Sequence, residues 1–197
     1  MSLEQVSPGL VFLLMAAGLF ILMVQNFRLA LAALAAQYLL VFLLVTSVLP
    51  SSLALVKLVV GWMITAQFIS EVRLIGKEWE NRIALSGNLL RGGILLFLWV
   101  VVYLALPLIQ TWIPVDRTVL LGGMILISCG LIQVGLSNQV LRISIGLLTL
   151  FSGFEVVYAA LEPSVLVSGL LVLVNIGIGL AALFLVIRGT EGNEVII

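Results

Sequence analysis

Long apolar runs, interrupted by short polar breaks, dominate the sequence. The apolar residues are continuous within each run instead of alternating with polar ones, which is typical of membrane-spanning helices and not of barrel strands. Each run approaches the roughly 20 residues that an α-helix needs to cross the hydrocarbon of a bilayer. We therefore predict an all-α integral membrane protein with seven transmembrane helices, near residues 8–25, 29–49, 53–70, 93–112, 118–136, 140–161 and 164–187.

The Lys and Arg residues lie mostly on one side of the membrane that these helices would cross. Arg117 lies on the other side, and Lys57 lies within the third predicted helix. Because loops rich in Lys and Arg stay in the cytoplasm, we expect the N-terminus outside and the C-terminus in the cytoplasm. The residues on the predicted cytoplasmic side are Arg28, Arg73, Lys77, Arg82, Arg91, Arg142 and Arg188.

The seven predicted helices divide into two three-helix units with a connecting helix between them. Glycine and asparagine recur with the same spacing in both units, as Gly18 and Asn26 and as Gly130 and Asn138. Both copies run in the same membrane direction, which is compatible with a 3+1+3 arrangement of parallel repeats; chance similarity between apolar segments is the alternative. The predicted division is a three-helix unit at 1–70, a cytoplasmic amphipathic connector at 71–92, a connecting helix at 93–112, a second three-helix unit at 118–187 and a cytoplasmic tail at 188–197.

Composition restricts the classes of function. Of the 197 residues, 63% are hydrophobic and 9% are charged, which leaves too few polar side chains to cover a water-soluble fold. Nine basic and nine acidic residues leave no net charge, so nucleic acid is not an expected partner. The chain has no His, and Cys129 is its only Cys. We therefore expect no catalytic, metal-binding or cofactor-binding residues in this chain.

Two charged residues lie inside predicted helices at matching depth. Glu155 is about 9 Å from the outer end of the sixth predicted helix, at a rise of 1.5 Å per residue, and Lys57 is about 8 Å deep in the third. Because charge within a bilayer is costly, such residues are candidates for proton or ion transfer. The two side chains either pair, if their helices touch, or reach water separately, with Lys57 extending to the lipid headgroups.

Two polar residues extend this set of relay candidates. Glu162 follows Glu155 by two helical turns and either continues a carboxylate route to the outer water or ends the helix in solvent. Asn175 lies near the middle of the seventh predicted helix, where its amide needs a partner; helix packing and ion coordination are the two interpretations. The relay candidates are therefore Glu155, Lys57, Asn175 and Glu162.

Two further expectations concern helix packing. Small residues let helix backbones approach closely, and the sixth and seventh predicted helices carry several glycines, including Gly153 and Gly179. These two helices are therefore expected to form a tight hairpin. Arg142, near the start of the sixth predicted helix, is expected to extend toward the cytoplasmic headgroups.

Several segments resemble a known family of membrane proteins. SNQVLRISIG (137–146), SGFE (152–155) and LVNIGIGLA (173–181), together with LVKLV (55–59), resemble hydrogenase-4 component E, a seven-helix membrane subunit of formate hydrogenlyase-type complexes. The C-terminal region is also similar to the three-helix K subunit of respiratory complex I. There, a Gly-apolar-Glu motif and a second Glu before Ile-Gly-Leu-Ala contribute to a buried polar axis. Glu155 completes the first motif, and Asn175 stands in the place of the second Glu.

This resemblance implies a function and a set of partners. It implies a non-catalytic membrane-arm subunit of a complex I-like or hydrogenase-4-like assembly in a bacterial or archaeal plasma (inner) membrane. Such a subunit contributes to proton or ion translocation coupled to electron transfer, with antiporter-like subunits and the lipid bilayer as neighbours. Iron–sulfur centres, with nickel–iron centres as a further candidate, would belong to partner subunits. Two alternatives stay open: a lipid-facing assembly subunit without a relay role, and a small stand-alone seven-helix transporter.

Overall fold

The computed structural model of the chain describes residues 3–75, 85–162 and 164–194. Within these ranges it contains seven α-helices and no strand, which confirms the predicted all-α fold. Six of the helices are long and apolar enough to cross a membrane, and the apolar part of the first, Pro8–Met23, is shorter. The helices are α1 (Leu3–Met23), α2 (Phe27–Val45), α3 (Ser51–Ile75), α4 (Leu85–Trp112), α5 (Arg117–Gly135), α6 (Val140–Leu161) and α7 (Val165–Glu194).

The helix ends differ from the predicted spans mainly on the side that is predicted to face the cytoplasm. The fourth helix begins at Leu85 and the seventh continues to Glu194, beyond the apolar runs from which they were predicted. Of the predicted connector 71–92, the part at 76–84 lies outside the described residues, and the rest belongs to the end of α3 and the start of α4.

Two helices begin with side chains that cap the backbone. The Asn26 side chain accepts a hydrogen bond from the Arg28 N–H at 2.9 Å and starts α2, and Asp116 accepts one from the Thr118 N–H at 2.8 Å and starts α5. The residue before α6 is Gln139, whose side chain makes no capping hydrogen bond. The two recurring asparagines therefore differ in their positions relative to a helix, because Asn26 caps α2 whereas Asn138 does not cap α6. The parallel repeat stays a prediction.

The helices are arranged in two layers. Helices α1, α2 and α3 form one layer and α5, α6 and α7 form the other, with α1 against α5, α2 against α6 and α3 against α7. Helix α4 packs at one end, on α1 and α5. Within this arrangement α2 contacts α3, α3 contacts α7, α7 contacts α6, and α6 contacts α2. We call these four helices the four-helix ring.

Glycines bring the backbones of α5 and α6 together. A Cβ atom on Gly153 would lie 2.6 Å from the carbonyl oxygen of Gly123, and one on Gly130 would lie 2.5 Å from the carbonyl oxygen of Gly146. Real side chains do not approach backbone atoms this closely, so these positions require glycine while the two helices stay in contact. The tight hairpin of the molecule is therefore α5–α6.

The predicted tight hairpin of the sixth and seventh helices is wrong. Gly169 and Gly177 of α7 have no atom near the position of a Cβ, and Gly179 packs against Ile64 of α3. These three glycines of α7 thus face open space or α3, and those of α6 face α5. Composition counts glycines along a helix, but the rotation of the helix about its axis decides which neighbour they meet.

The expected extension of Arg142 to the cytoplasmic headgroups is also wrong. Its side chain is buried, its Nη2 donates to the Val24 carbonyl oxygen at 2.9 Å, and its guanidinium lies 5.3 Å from the centre of the Phe27 ring. Arg142 therefore caps the carbonyl end of α1, where the helix dipole also favours a cation. Arg91 of α4 does the same for α5 by donating to the Leu136 carbonyl oxygen.

Candidate functional site

Lys57 and Glu155 form a buried ion pair inside the four-helix ring. The Lys57 Nζ lies 3.9 Å from the Glu155 Oε2, and the exposed fractions of the two side chains are 6% and 3%. Lys57 comes six residues after the start of α3 and Glu155 six residues before the end of α6, so both are about 9 Å from the helix ends. Of the two alternatives that matching depth left open, the structure contains the pair, and both side chains are buried instead of reaching water separately.

The pair reaches across the interior of the ring. Helices α3 and α6 stand on opposite sides, with α2 and α7 between them. Neither the Lys57 Nζ nor the Glu155 Oε1 has a hydrogen-bond partner among the residues that the structure describes. Because a buried ion pair is stable only when further hydrogen bonds offset its desolvation, this arrangement is costly, and a costly buried group is a candidate for function.

Tyr38 of α2 enters the interior next to the pair. Its hydroxyl group lies near enough to Ser152, Glu155 and Asn175 to interact electrostatically with all three, and it forms no hydrogen bond of normal geometry with any described residue. A Cβ on Gly61 of α3 would lie 2.5 Å from a carbon of the Tyr38 ring. The absence of a side chain at this glycine therefore leaves the space that the tyrosine occupies.

Further polar side chains line the ring below the pair. The Gln37 Nε2 donates to the Thr149 Oγ1 at 3.3 Å, and the Ser152 hydroxyl donates to the Leu148 carbonyl oxygen at 2.8 Å. The Gln37 Oε1 and the Asn175 Oδ1 are buried and accept no hydrogen bond from the described part of the chain. Unlike most buried polar atoms in proteins, these two oxygens can accept a hydrogen bond from a group that moves toward them.

The structure brings three of the four predicted relay residues into one ring. Lys57 and Glu155 contact each other, and Asn175, with 1% of its surface exposed, interacts with Tyr38 beside them. Glu162 is exposed at the end of α6, and within the described parts of the chain it takes part in no ion pair. Glu162 therefore lies outside the buried site.

The sequence contained a signal for the residues that the prediction missed. Thr149, Ser152 and Glu155 follow each other at intervals of three on α6, which places their side chains on one side of that helix. The carboxyl group of Glu155 is predicted to belong to the site because a charged residue inside a span is rare. The two hydroxyl groups are not predicted to belong to it, because serine and threonine are common in membrane helices and their positions alone do not show a partner.

The site contains no metal-binding cluster among the residues that the structure describes. Its titratable groups are one amine, one carboxyl group and one phenol, those of Lys57, Glu155 and Tyr38. The thiol of Cys129 is also buried, but it lies between α5 and α1, next to Gly18, outside the ring. The chemistry that these groups can perform is proton exchange and the binding of small polar ligands.

Comparison of the sequence with family models, with curated proteins and with solved structures finds no match. The interior of the four-helix ring, with its buried ion pair, is therefore the observation from which a function must be argued.

Proposed function

We propose that this chain is a non-catalytic membrane subunit of a complex I-like or hydrogenase-4-like assembly, in which the Lys57–Glu155 pair takes part in proton translocation. The observation that carries the proposal is the burial of this pair inside the four-helix ring. The resemblance of residues 137–146 and 173–181 to hydrogenase-4 component E supports the class of assembly. Electron transfer would occur in partner subunits, which would hold the iron–sulfur and nickel–iron centres.

The chemistry of the pair suits a relay. In one cycle a proton arrives on the Glu155 carboxylate, the Lys57 ammonium releases another proton, and transfer from the carboxylic acid to the amine restores the ion pair. Each arrival is matched by a release, so the site gains no lasting charge. This balance is necessary in a bilayer, where an unpaired buried charge is costly.

The distance between the two groups supplies a means of coupling. At about 4 Å and an effective dielectric constant of about 20, the attraction between opposite charges is roughly 4 kcal/mol. A movement of α3 relative to α6 that lengthens the 3.9 Å separation weakens this attraction and favours the neutral forms. A partner subunit that moves either helix thereby changes where the proton resides.

The outer surface of the protein is compatible with neighbours in a larger assembly. Helices α4 and α7 bury the smallest share of their side chains among the candidate spans. Their large exposed apolar residues include Phe97, Leu104, Leu166 and Leu173. Antiporter-like membrane subunits, or lipid, would cover these surfaces.

Proton translocation per assembled complex tests the proposal. Membrane vesicles from cells that carry Glu155→Gln in place of the natural residue are supplied with the electron donor of the complex, and proton uptake is divided by the amount of intact complex. We expect uptake per intact complex to fall at least about tenfold, because glutamine cannot release a proton. Glu71→Gln makes the same chemical change at the far end of α3, away from the pair, and serves as the control.

Other results would assign the chain to a different class. Normal uptake per complex with a reduced yield of complex would identify an assembly subunit, and would remove Glu155 from the mechanism. An active 21.2 kDa protein that purifies alone in mild detergent would identify a stand-alone transporter.

A further inference from the structure

The interior of the four-helix ring is polar at one end and apolar at the other. We call the end at which α3 begins and α6 ends the outer end, because the distribution of Lys and Arg predicts that it faces outside. All four helices contribute polar groups between the outer end and the middle of the ring: Gln37 and Tyr38 of α2, Lys57 of α3, Thr149, Ser152 and Glu155 of α6, and Ser168 and Asn175 of α7.

Apolar side chains fill the other half of the ring. They belong to one buried cluster of the same four helices and of Ile21 of α1, which also takes in Tyr38 and Leu58 at the depth of the pair. We call the part of this cluster that lies inward of Thr149 the apolar floor; its central members are Leu31 and Leu34 of α2, Phe68 of α3, Ile145 and Leu148 of α6, and Val186 of α7.

The floor is thick enough to act as a barrier. Leu141 and Leu148, both members of the cluster, are seven residues apart on α6, which corresponds to about 10 Å along the helix. The hydroxyl of Thr65, which lies on the same stretch of α3, donates to the Gly61 carbonyl oxygen and is satisfied within its own helix. Since a water molecule needs two to four polar partners and a dry apolar region excludes charge, this half of the ring offers no path for a proton.

The route from the pair to the outer end is short and partly polar. Glu155 and Lys57 are about 9 Å from that end. Ser168, which is buried, comes three residues after the start of α7 and lies between the pair and the outer end, and Asn175, seven residues further along the same side of α7, lies inward of the pair. Ser51 and Ser52 are exposed where α3 begins. Ser168 thus lies on the outer side of the pair, Gln37, Ser152, Asn175 and Thr149 lie between the pair and the apolar floor, and the floor closes the inner half of the ring.

We propose that the outer half of the four-helix ring is a one-sided proton path that ends at the apolar floor. Protons reach Glu155 from the outer end, and none crosses to the inner end between these four helices. This inference deepens the proposed function, on which it rests for the identity of the ion, by fixing the side from which the site is loaded. In the working complex a proton leaves the ring toward the outer end or sideways, past one of the ring helices.

Single-cysteine labelling of the full chain in membranes tests the sidedness directly. Cys129, which lies outside the ring, is first replaced by alanine. Ser51→Cys and Ser70→Cys, both at exposed positions, then report the two sides of the membrane. A charged thiol reagent that cannot cross the bilayer is applied to Ser168→Cys and to Ala182→Cys. The first position lies in the polar half of the ring and the second in the apolar floor cluster.

We expect Ser168→Cys to react from the side on which Ser51→Cys reacts, faster by roughly tenfold or more than from the other side, because the floor excludes the charged reagent. We expect Ala182→Cys to react from neither side. Ser152→Cys, another buried serine of the polar half, provides an independent second position if the first variant folds poorly.

Two results would overturn the one-sided path. One is labelling of Ala182→Cys from the side of Ser70→Cys, which would show that water enters the floor. The other is absence of labelling at both Ser168→Cys and Ser152→Cys, which would show that the polar half is closed at the outer end. Neither result depends on proton pumping, so the path and the relay role of Glu155 can fail separately.

Discussion

Helix α6 presents two contrasting surfaces to its neighbours. Toward α5 it presents Gly146 and Gly153, whose backbones touch the partner helix. Toward the four-helix ring it presents Ser152 and Glu155, and the carboxyl group there has an ion-pair partner but an unbonded oxygen. The first surface fixes the helix by steric fit, and the second carries groups whose partners can change. Contact with α5 thus holds α6 in place while its polar surface retains exchangeable groups.

The largest expected change in the free energy of unfolding comes from a substitution in the ion pair at the polar surface of α6. Lys57→Met leaves the Glu155 carboxylate buried and unpaired, which costs about 3–5 kcal/mol if the carboxylate stays charged. The free energy of unfolding, measured by denaturant titration in detergent micelles, should fall by that amount. The double variant Lys57→Met/Glu155→Met should recover most of the loss, because an apolar pair of similar volume is often as stable as a buried ion pair. If the double variant were as unstable as the single one, the contribution of pairing would be smaller than the geometry indicates.

A somewhat smaller change in the free energy of unfolding is expected for a substitution at the glycine contact between α5 and α6. A methyl group at position 130 would overlap the backbone of α6 at Gly146 and Leu150. Gly130→Ala should therefore destabilise the protein by roughly 2–3 kcal/mol through overpacking, as measured by the same titration. Gly177→Ala is the matched control, since open space surrounds this glycine, and should be neutral or slightly stabilising. Equal stability of the two variants would show that α5 and α6 can separate at little cost.

A third prediction concerns Arg142, which attaches α6 to the end of α1. Arg142→Gln removes the guanidinium that donates to the Val24 carbonyl oxygen. A cation at a helix C-terminus contributes up to about 2 kcal/mol when partly buried, so a loss of about 1–2 kcal/mol is expected in thermal unfolding in micelles. Arg28→Gln, at an exposed position near the same membrane surface, should change stability by less than about 0.5 kcal/mol. Similar losses for both variants would contradict a capping role for Arg142.

The smallest expected effect is at Tyr38. Its hydroxyl forms no hydrogen bond of normal geometry, so Tyr38→Phe removes a buried polar group without leaving a partner unsatisfied. Stability should stay within about 0.5 kcal/mol of the natural protein or rise slightly. A loss of more than about 1.5 kcal/mol in the denaturant titration would show that the hydroxyl is hydrogen-bonded to Ser152 or Asn175 after all.

The sequence predicted the features that depend on position along a helix. Hydropathy gave seven helices because each apolar run is long and continuous, and α6 begins and ends where its run does. The depth of Lys57 and Glu155 could be counted from the helix ends, and equal depth is the condition for the pairing that the structure contains. Capping by Asn26 also agrees with the break that precedes α2.

The sequence did not predict the features that depend on rotation about a helix axis. Glycine composition predicts a contact of Gly153 with α7, but Gly153 contacts α5. The position of Arg142 near a helix end predicts that it extends to the headgroups, but it caps α1. In a helix that is apolar on every side, hydropathy does not distinguish the buried face from the face toward lipid. For the same reason the apolar floor could not be recognised before the four helices were placed together.

Proton translocation by the assembled complex carrying Lys57→Met/Glu155→Met tests the central claim most directly. This double variant removes both exchangeable groups while avoiding an unpaired buried charge. With assembly verified by the yield of intact complex, we predict that proton uptake per complex falls at least about tenfold, since neither methionine can bind a proton. Uptake at the level of the natural protein, from the same amount of intact complex, would contradict the assignment of the pair to proton translocation.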